Sequence, residues 1–139
     1  MLSVLIPVYN YDCRKLITAL HNQCSELDIK FEIRVYDDCS TDKILKEQSS
    51  EVQQLKHIEY KALTQNLGFC KIRNLLALES KFENLLFIDA DIKIYTNFIK
   101  NYIKNKNFDV QIGGIVYLNE KPTDKKLYLK WKHGKEREE

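Results

Sequence analysis

The chain has 139 residues, 44% of them hydrophobic and 30% charged, and a formal net charge of +2. This length and composition suit one ordinary domain with a single core, and the small net charge gives no reason to expect nucleic acid or an acidic partner. The apolar runs are of strand length and fall short of the roughly 20 residues that a membrane-spanning helix needs.

Strand and helix patterns alternate through the first part of the chain. The run SVLIPVY is apolar and β-branched, which predicts a strand, and CRKLITALHNQC has apolar residues at helical spacing. KFEIRVYDD alternates apolar and polar residues and ends in an acidic pair, which predicts a strand running into a loop. STDKILKEQSSEVQQL then predicts a helix with Ser40 or Thr41 as its N-cap.

The alternation continues through the second part. A short strand around HIEY and the loop KALTQNLG precede a helix that begins near Gly68 and directs Ile72, Leu75, Leu76 and Leu78 toward a core. NLLFIDAD predicts the next strand, and NFIKNYIKNK predicts a helix. DVQIGGIVYL predicts a further strand, whose glycine pair indicates a bulge or a close backbone approach.

The order of these elements predicts the fold. Strands that alternate with helices are typical of an α/β fold with a mostly parallel sheet and helices on both faces. We assign this α/β domain to residues 1–118 and a basic C-terminal segment to residues 119–139. That segment carries Leu127, Leu129 and Trp131 among its charges, which predicts either an amphipathic helix or a loop that packs on another surface.

The cysteines and the N-terminus indicate the cellular compartment of the chain. None of Cys13, Cys24, Cys39 and Cys70 belongs to a C-x-x-C pair or lies at metal-ligand spacing from a histidine. Cys13 and Cys24 fall on the apolar stripe of the first helix, which predicts small buried side chains. The N-terminus has neither the basic region nor the cleavage site of a signal peptide. We therefore expect a cytoplasmic chain.

Polar residues collect at the predicted strand ends. The first strand ends at residues 7–10, the second at residues 37–42 and a later one at Asp89-Ala90-Asp91, while the loop 66–68 leads into a helix that bears Arg73. In open α/β sheets ligands bind beyond the carboxyl ends of the strands. Carboxylates suit a hard divalent cation, and a guanidinium matches phosphate, so the pattern predicts a polyphosphate ligand with a metal ion. An extended backbone would also direct Asp89 and Asp91 to the same side.

Each of these features also has a simpler interpretation. An acidic pair after a strand is often a helix cap with a solvated neighbour, a single arginine is more often a surface residue, and a D-x-D sequence is common by chance. The order of the four features and their shared position at strand ends favour the ligand-binding interpretation. A phosphoacceptor receiver domain is the alternative from another class, because it also combines acidic strand ends with Mg²⁺.

The segments SVLIPVYN, VYDDCSTD, NLGFCKIRN and LLFIDADI, in this order, resemble the nucleotide-binding half of a family 2 glycosyltransferase with the Rossmann-like GT-A fold. The resemblance covers roughly residues 2–118. It implies a site in which Pro7 and Tyr9 line the nucleoside pocket and Asp38 accepts a hydrogen bond from the base, with Asp37 beside it. It further implies that Arg73 lies near the base and phosphates, that Asp89 contacts the ribose or sugar side, and that Asp91, with Asp89, holds Mn²⁺ or Mg²⁺.

The same resemblance implies the reaction. A sugar would pass, with inversion, from a UDP- or dTDP-linked donor to a glycan or lipid-linked acceptor, with a divalent cation stabilising the leaving diphosphate. The family's catalytic base is an acidic residue in the acceptor half, and no acidic residue after Asp91 lies in a comparable setting. We therefore expect an incomplete enzyme without its base. Self-association and peripheral association at the inner membrane face are left open as further alternatives.

Overall fold

The computed structural model of the chain describes residues 1–104 and 109–137. Its residues form two compact units, Met1–Asn105 and Lys106–Glu139. The division of the chain at residue 118 is not tested by these units and stays a prediction. No helix within the two described ranges is both long and apolar enough to cross a membrane.

The first unit is a parallel α/β layer structure. Its sheet has four parallel strands in the order β3-β2-β1-β4. Along the chain the elements are β1 (Leu2–Val8), α1 (Arg14–Glu26), β2 (Phe31–Asp37), α2 (Lys43–Ser50), a 3-10 turn (Glu51–Gln54), β3 (Ile58–Ala62), α3 (Phe69–Leu78), β4 (Leu85–Phe87) and α4 (Phe98–Lys104). The predicted last residues of α4, 105 and 106, lie outside the described residues.

Both faces of this sheet are covered by helices, which confirms the predicted fold class. On one face, Val4, Ile6 and Ile33 pack in a core that α1 and α4 complete. On the other face, Leu5 packs with residues of α3. Because side chains alternate along a strand, the near-continuous apolar run of β1 supplies both cores at once.

Helix α1 matches its sequence pattern. Leu16, Ile17, Leu20 and Cys24 are buried on the stripe that faces the sheet, and Cys13 is buried just before the helix. Burial raises the pKa of the Cys24 thiol to about 12. These two thiols are therefore packing groups, as predicted.

Strand β2 is buried on both faces, although its alternating sequence would suit a strand with one exposed polar face. The polar side chains of β2 are buried because they belong to one connected set on the α3 side of the sheet. This set, here called the β2 polar network, consists of Ser3, Glu32, Arg34, Tyr36, Lys61 and Glu79. Arg34 Nε donates to Glu32 Oε2 at 3.0 Å, and Arg34 Nη1 donates to the Tyr36 hydroxyl at 2.8 Å. Lys61 Nζ lies 2.8 Å from Glu79 Oε1. Buried charges are tolerated here because each one is paired and hydrogen-bonded.

Several local predictions were wrong. The N-cap of α2 is Asp42, whose Oδ1 accepts a hydrogen bond from the Leu45 amide at 3.1 Å, and neither Ser40 nor Thr41 caps the helix. Leu78 is 83% exposed at the end of α3, whereas Ile72 and Leu76 are buried as expected. Residues 109–118 form no strand. A β-branched run has strand propensity, but it becomes a strand only where a neighbouring strand pairs with it.

The second unit contains α5 (Lys125–Glu136). Its packing partner is the segment just before it: Trp131 Nε1 donates to the Leu118 carbonyl at 2.6 Å, and the Tyr117 ring lies against Gly134. Of the two alternatives for the basic segment, the helix is therefore correct. Leu127 and Leu129 are exposed on it.

Candidate functional site

The site residues expected from the sequence lie at the carboxyl ends of the parallel strands, in the loops that follow them, or, for Arg73, on α3. Pro7 lies at the end of β1, where it pairs with Tyr36, and Tyr9 follows with 52% of its surface exposed. An exposed aromatic side chain beside a strand end is available to a planar ligand. The roles of Pro7 and Tyr9 in a nucleoside pocket stay predictions.

Asp37, the last residue of β2, is fully buried. Its Oδ1 accepts a hydrogen bond from the Ser40 amide at 2.6 Å, and its Oδ2 accepts one from the Tyr60 hydroxyl at 2.7 Å. Burial and this bond to Asp37 raise the pKa of Tyr60 well above its ordinary value. Asp37 therefore fixes the start of its loop, and its place in the nucleotide site stays a prediction.

Asp38 joins the loop after β2 to the start of α3. Its Oδ1 accepts from the Leu67 amide at 2.6 Å and its Oδ2 accepts from the Gly68 amide at 2.9 Å. Asn66 Nδ2 also donates to the Asp38 carbonyl at 2.9 Å. A carboxylate at this point stabilises a helix N-terminus, whose first amides lack partners. Gly68 precedes the helix with φ +79°, a conformation that favours glycine.

Arg73 projects from α3 toward the turn after β4. One of its terminal nitrogens donates to Asp89 Oδ1, and the other donates to the Phe69 carbonyl at 2.8 Å. The guanidinium also lies 3.5 Å from the centre of the Phe69 ring. The sequence placed Arg73 and Asp89 at one sheet edge, and the structure brings them into direct contact.

Asp89, Ala90 and Asp91 form a turn, in which the Ile92 amide donates to the Asp89 carbonyl at 3.4 Å. The expectation that an extended strand presents both carboxylates was therefore wrong, because β4 already ends at Phe87. Asp89 and Asp91 are both exposed, and Asp91 forms no hydrogen bond or ion pair with any residue in the described ranges.

Within residues 1–104 and 109–137, no three side chains of His, Cys, Asp or Glu converge in a way that could hold a metal ion. The donor set at this edge is two neighbouring carboxylates, one of them also paired with an arginine. Oxygen donors of this kind fit Mg²⁺ or Mn²⁺, which commonly complete their coordination with water and substrate phosphates. The site therefore fits a cation that arrives with a phosphorylated ligand.

Two contributors were not identified as site residues from the sequence. Asn10 is bonded to the loop after β2 through four hydrogen bonds, and Tyr60 bonds to Asp37. A partial signal for Asn10 was present, since asparagine two residues after a strand tolerates the left-handed backbone that it adopts, with φ 48°. Nothing local to Tyr60 indicates its partner.

The fold is that of an α/β domain of the GT-A type, with polar side chains at the carboxyl edge of its parallel sheet. The chain belongs to glycosyl transferase family 2, whose family model matches residues 3–139. This match extends beyond residue 118, where the resemblance of the motifs ends. Membership in this family removes the receiver-domain alternative.

Among similar proteins is the poly(ribitol-phosphate) β-N-acetylglucosaminyltransferase TarS of Staphylococcus aureus, 33% identical over 102 residues. The match covers 71% of this chain and 18% of the curated relative, so the chain spans about a fifth of that protein's length. A crystal structure of TarS residues 1–349 has a TM-score of 0.56 at 31% identity, covering 74% of this chain and 31% of that one.

Two further solved structures are similar. TarS 1–349 in complex with UDP-GlcNAc has a TM-score of 0.54 at 32% identity and covers 74% of this chain and 30% of that chain. The mannosyltransferase PcManGT from Pyrobaculum calidifontis, in complex with GDP-Man and Mn²⁺, has a TM-score of 0.56. Its identity is 22%, with 74% of this chain and 31% of that one covered, so this likeness concerns the fold.

Proposed function

We propose that this chain binds the sugar donor of an inverting, metal-dependent glycosyltransferase that uses a UDP- or dTDP-linked sugar. The observation that carries the proposal is the pairing of Arg73 with Asp89, two residues before Asp91, whose carboxylate has no partner among residues 1–104 and 109–137. A cation and two carboxylates at the carboxyl edge of a parallel sheet suit a diphosphate with its metal ion. The acceptor would be a glycan or lipid-linked hydroxyl on the cytoplasmic side of the membrane.

The binding roles divide along the sheet edge. Tyr9 and Pro7 would contact the nucleoside, and the loop that Asp38 anchors would form the base-proximal wall. Arg73 would face the diphosphate, because its fork of N–H donors matches phosphate oxygens. The TarS complexes with UDP-GlcNAc and with UDP support a uridine nucleotide as the first ligand to test.

Asp91 and Asp89 would hold Mn²⁺ or Mg²⁺. The bound cation would supply Lewis-acid stabilisation of the leaving diphosphate. Asp89 would then have two partners, the metal and Arg73, and the arginine would hold this carboxylate in place. We assign no residue of this chain as the catalytic base.

Calorimetry of UDP binding tests the proposal. The 139-residue chain should bind UDP with Mn²⁺ and lose most of its affinity when a chelator replaces the metal. Asp91→Asn should lose about 10–100-fold in metal-dependent affinity. Asp28→Asn is the matched control, since Asp28 lies between α1 and β2, beyond the opposite end of β2. Equal UDP affinity with Mn²⁺ and with chelator would show that the metal role is wrong, and no binding of UDP, dTDP or GDP would refute the donor role.

A further inference from the structure

Asn10 links the loops that follow β1 and β2. Its side-chain Oδ1 accepts hydrogen bonds from the Thr41 amide at 2.8 Å and the Asp42 amide at 3.0 Å. Its Nδ2 donates to Thr41 Oγ1 at 3.0 Å, and its own amide donates to Ser40 Oγ at 2.8 Å. One residue therefore makes four bonds to three consecutive residues of a neighbouring loop.

The bonds of Asn10 lie just beyond the last backbone hydrogen bond between β1 and β2. The last backbone bond between the two strands runs from the Asp38 amide to the Val8 carbonyl at 2.8 Å. Beyond this bond both strands continue as loops, and the hydrogen bonds of Asn10 connect the two loops. The left-handed backbone of Asn10 and of Cys39, with φ 48° and 63°, turns both loops at this point. Backbone of this kind is uncommon outside glycine and persists where surrounding contacts hold it.

The connected loops carry the groups assigned to the nucleoside. Tyr9 immediately precedes Asn10, and Asp38 lies two residues before Ser40. The groups assigned to the diphosphate and metal lie elsewhere, with Arg73 on α3 and Asp91 after β4. A change at Asn10 should therefore act on one half of the ligand.

We propose that Asn10 is a positioning residue that sets the distance between Tyr9 and the Asp38 loop, and thereby the width of the nucleoside pocket. This inference rests on the proposed function of the same site. Asparagine suits the position because it tolerates positive φ and carries an acceptor and a donor together. Glycine would keep the backbone conformation and remove all three side-chain bonds.

The test compares two ligands across a set of variants of the full 139-residue chain. Asn10→Gly should bind UDP with Mn²⁺ about tenfold more weakly, as expected from lost hydrogen bonds of ordinary strength. Its affinity for Mn²⁺ with inorganic pyrophosphate should stay within about twofold, because Arg73, Asp89 and Asp91 are unaffected. Asn10→Asp should restore most of the UDP affinity, since its second oxygen can accept a hydrogen bond from the Thr41 hydroxyl. Thr41→Val removes one bond alone and should give an intermediate loss.

Hydrogen exchange supplies a readout that needs no ligand. The Thr41 and Asp42 amides should exchange faster in Asn10→Gly, while amides in the centre of β2 stay protected. If the parent binds UDP and Asn10→Gly binds it equally well, or loses UDP and pyrophosphate in parallel, the positioning role is refuted while the proposed function stands. If the parent binds no nucleotide, both proposals fail.

Discussion

Arg73 and Asp89 form an ion pair that joins the middle of α3 to the turn after β4. The Asp89 carboxylate is 53% exposed, and exposed ion pairs generally contribute little to stability. The Arg73 guanidinium is also held over the Phe69 ring and by the Phe69 carbonyl. These three contacts fix the guanidinium in the position from which the proposed function has it face a diphosphate.

Asp89→Asn should separate these two roles. The free energy of unfolding should change by less than about 1 kcal/mol, because the Asp89 carboxylate is exposed, while the Mn²⁺-dependent affinity for UDP should fall about 10–100-fold. Urea unfolding and calorimetry measure the two effects. Glu51→Gln is the matched control, since Glu51 is 55% exposed and pairs with Arg14 at 2.9 Å. A large loss of stability with unchanged UDP affinity would assign the Arg73–Asp89 pair to the fold.

Two leucines of α3 test the orientation of this helix. Leu76 is fully buried against the sheet, whereas Leu78 is 83% exposed. Leu76→Ala should cost about 2–5 kcal/mol in the free energy of unfolding, and Leu78→Ala should stay within about 0.5 kcal/mol of the parent. Urea denaturation of both variants provides the comparison. Equal losses would mean that α3 presents a different face to the sheet.

The order of strands and helices through residue 104 could be predicted from the sequence because it depends on local information. An apolar run of strand length, such as that of β1, or a helical stripe, such as that of α1, is complete within its own segment. The segment at residues 109–118 shows the limit of this reasoning. Its β-branched residues carry strand propensity, but pairing depends on a partner that the segment itself does not specify.

The polar residues of β2 show a second limit. Glu32 and Arg34 are buried because their partners come from Ser3, Lys81 and Glu79, which lie far away along the chain. Ser40 and Thr41 fail as caps for a similar reason, since both bond to Asn10. Local patterns identify which residues are polar, and only the fold determines which of them meet. The meeting of Arg73 with Asp89 was foreseeable because both lie at the same edge of a parallel sheet.

The Arg34–Glu32 pair of the β2 polar network should be strongly coupled. Both side chains are 6% exposed and their atoms lie 3.0 Å apart. Arg34→Met removes the nearest cation from the buried Glu32 carboxylate, leaving among the described residues only Lys81 Nζ at 3.9 Å, and should cost about 3–5 kcal/mol. The double variant with Glu32→Gln should recover part of this loss. A double-mutant cycle in urea measures the coupling, and additive losses from the two substitutions would contradict it.

The Arg34–Glu32 pair also predicts that the stability of the fold depends on pH in the acidic range. Burial opposes ionisation of Glu32, but hydrogen bonds from Ser3 and Lys81 together with the charge of Arg34 lower its pKa overall. A carboxyl whose pKa is lowered by folding contributes stability above its unfolded pKa and loses it as the pH falls. The stability difference between the parent and Glu32→Gln should therefore be largest near neutral pH and shrink below about pH 4.5. A difference that is constant from pH 7 to pH 3 would rule out this linkage.

Two tyrosines predict a loss of stability in alkali. Burial raises the pKa of Tyr36, and its hydrogen bond to Glu79 raises it further; burial and the bond to Asp37 do the same for Tyr60. A group whose pKa is raised by folding contributes stability below its unfolded pKa and loses it as the pH rises toward the folded pKa. Each tyrosine should therefore lower the free energy of unfolding by about 1.4 kcal/mol per pH unit above about pH 10.

Tyr60→Phe isolates one of these contributions. At neutral pH it removes the hydroxyl that donates to the buried Asp37 carboxylate at 2.7 Å, which should cost about 1.5–3 kcal/mol. Above about pH 10 the variant should lose stability more slowly than the parent, because its unfolded state has one fewer tyrosine to ionise. The two curves of unfolding free energy should therefore converge as the pH rises from 9 toward 11.

Lysine ionisation affects both proteins equally and cancels in the difference between them. Tyr95→Phe is the matched control for the loss of a tyrosine hydroxyl at the surface, since Tyr95 is 74% exposed. Parallel curves for the parent and Tyr60→Phe would mean that Tyr60 ionises as readily in the folded chain as in the unfolded one, and that its bond to Asp37 is not maintained in solution.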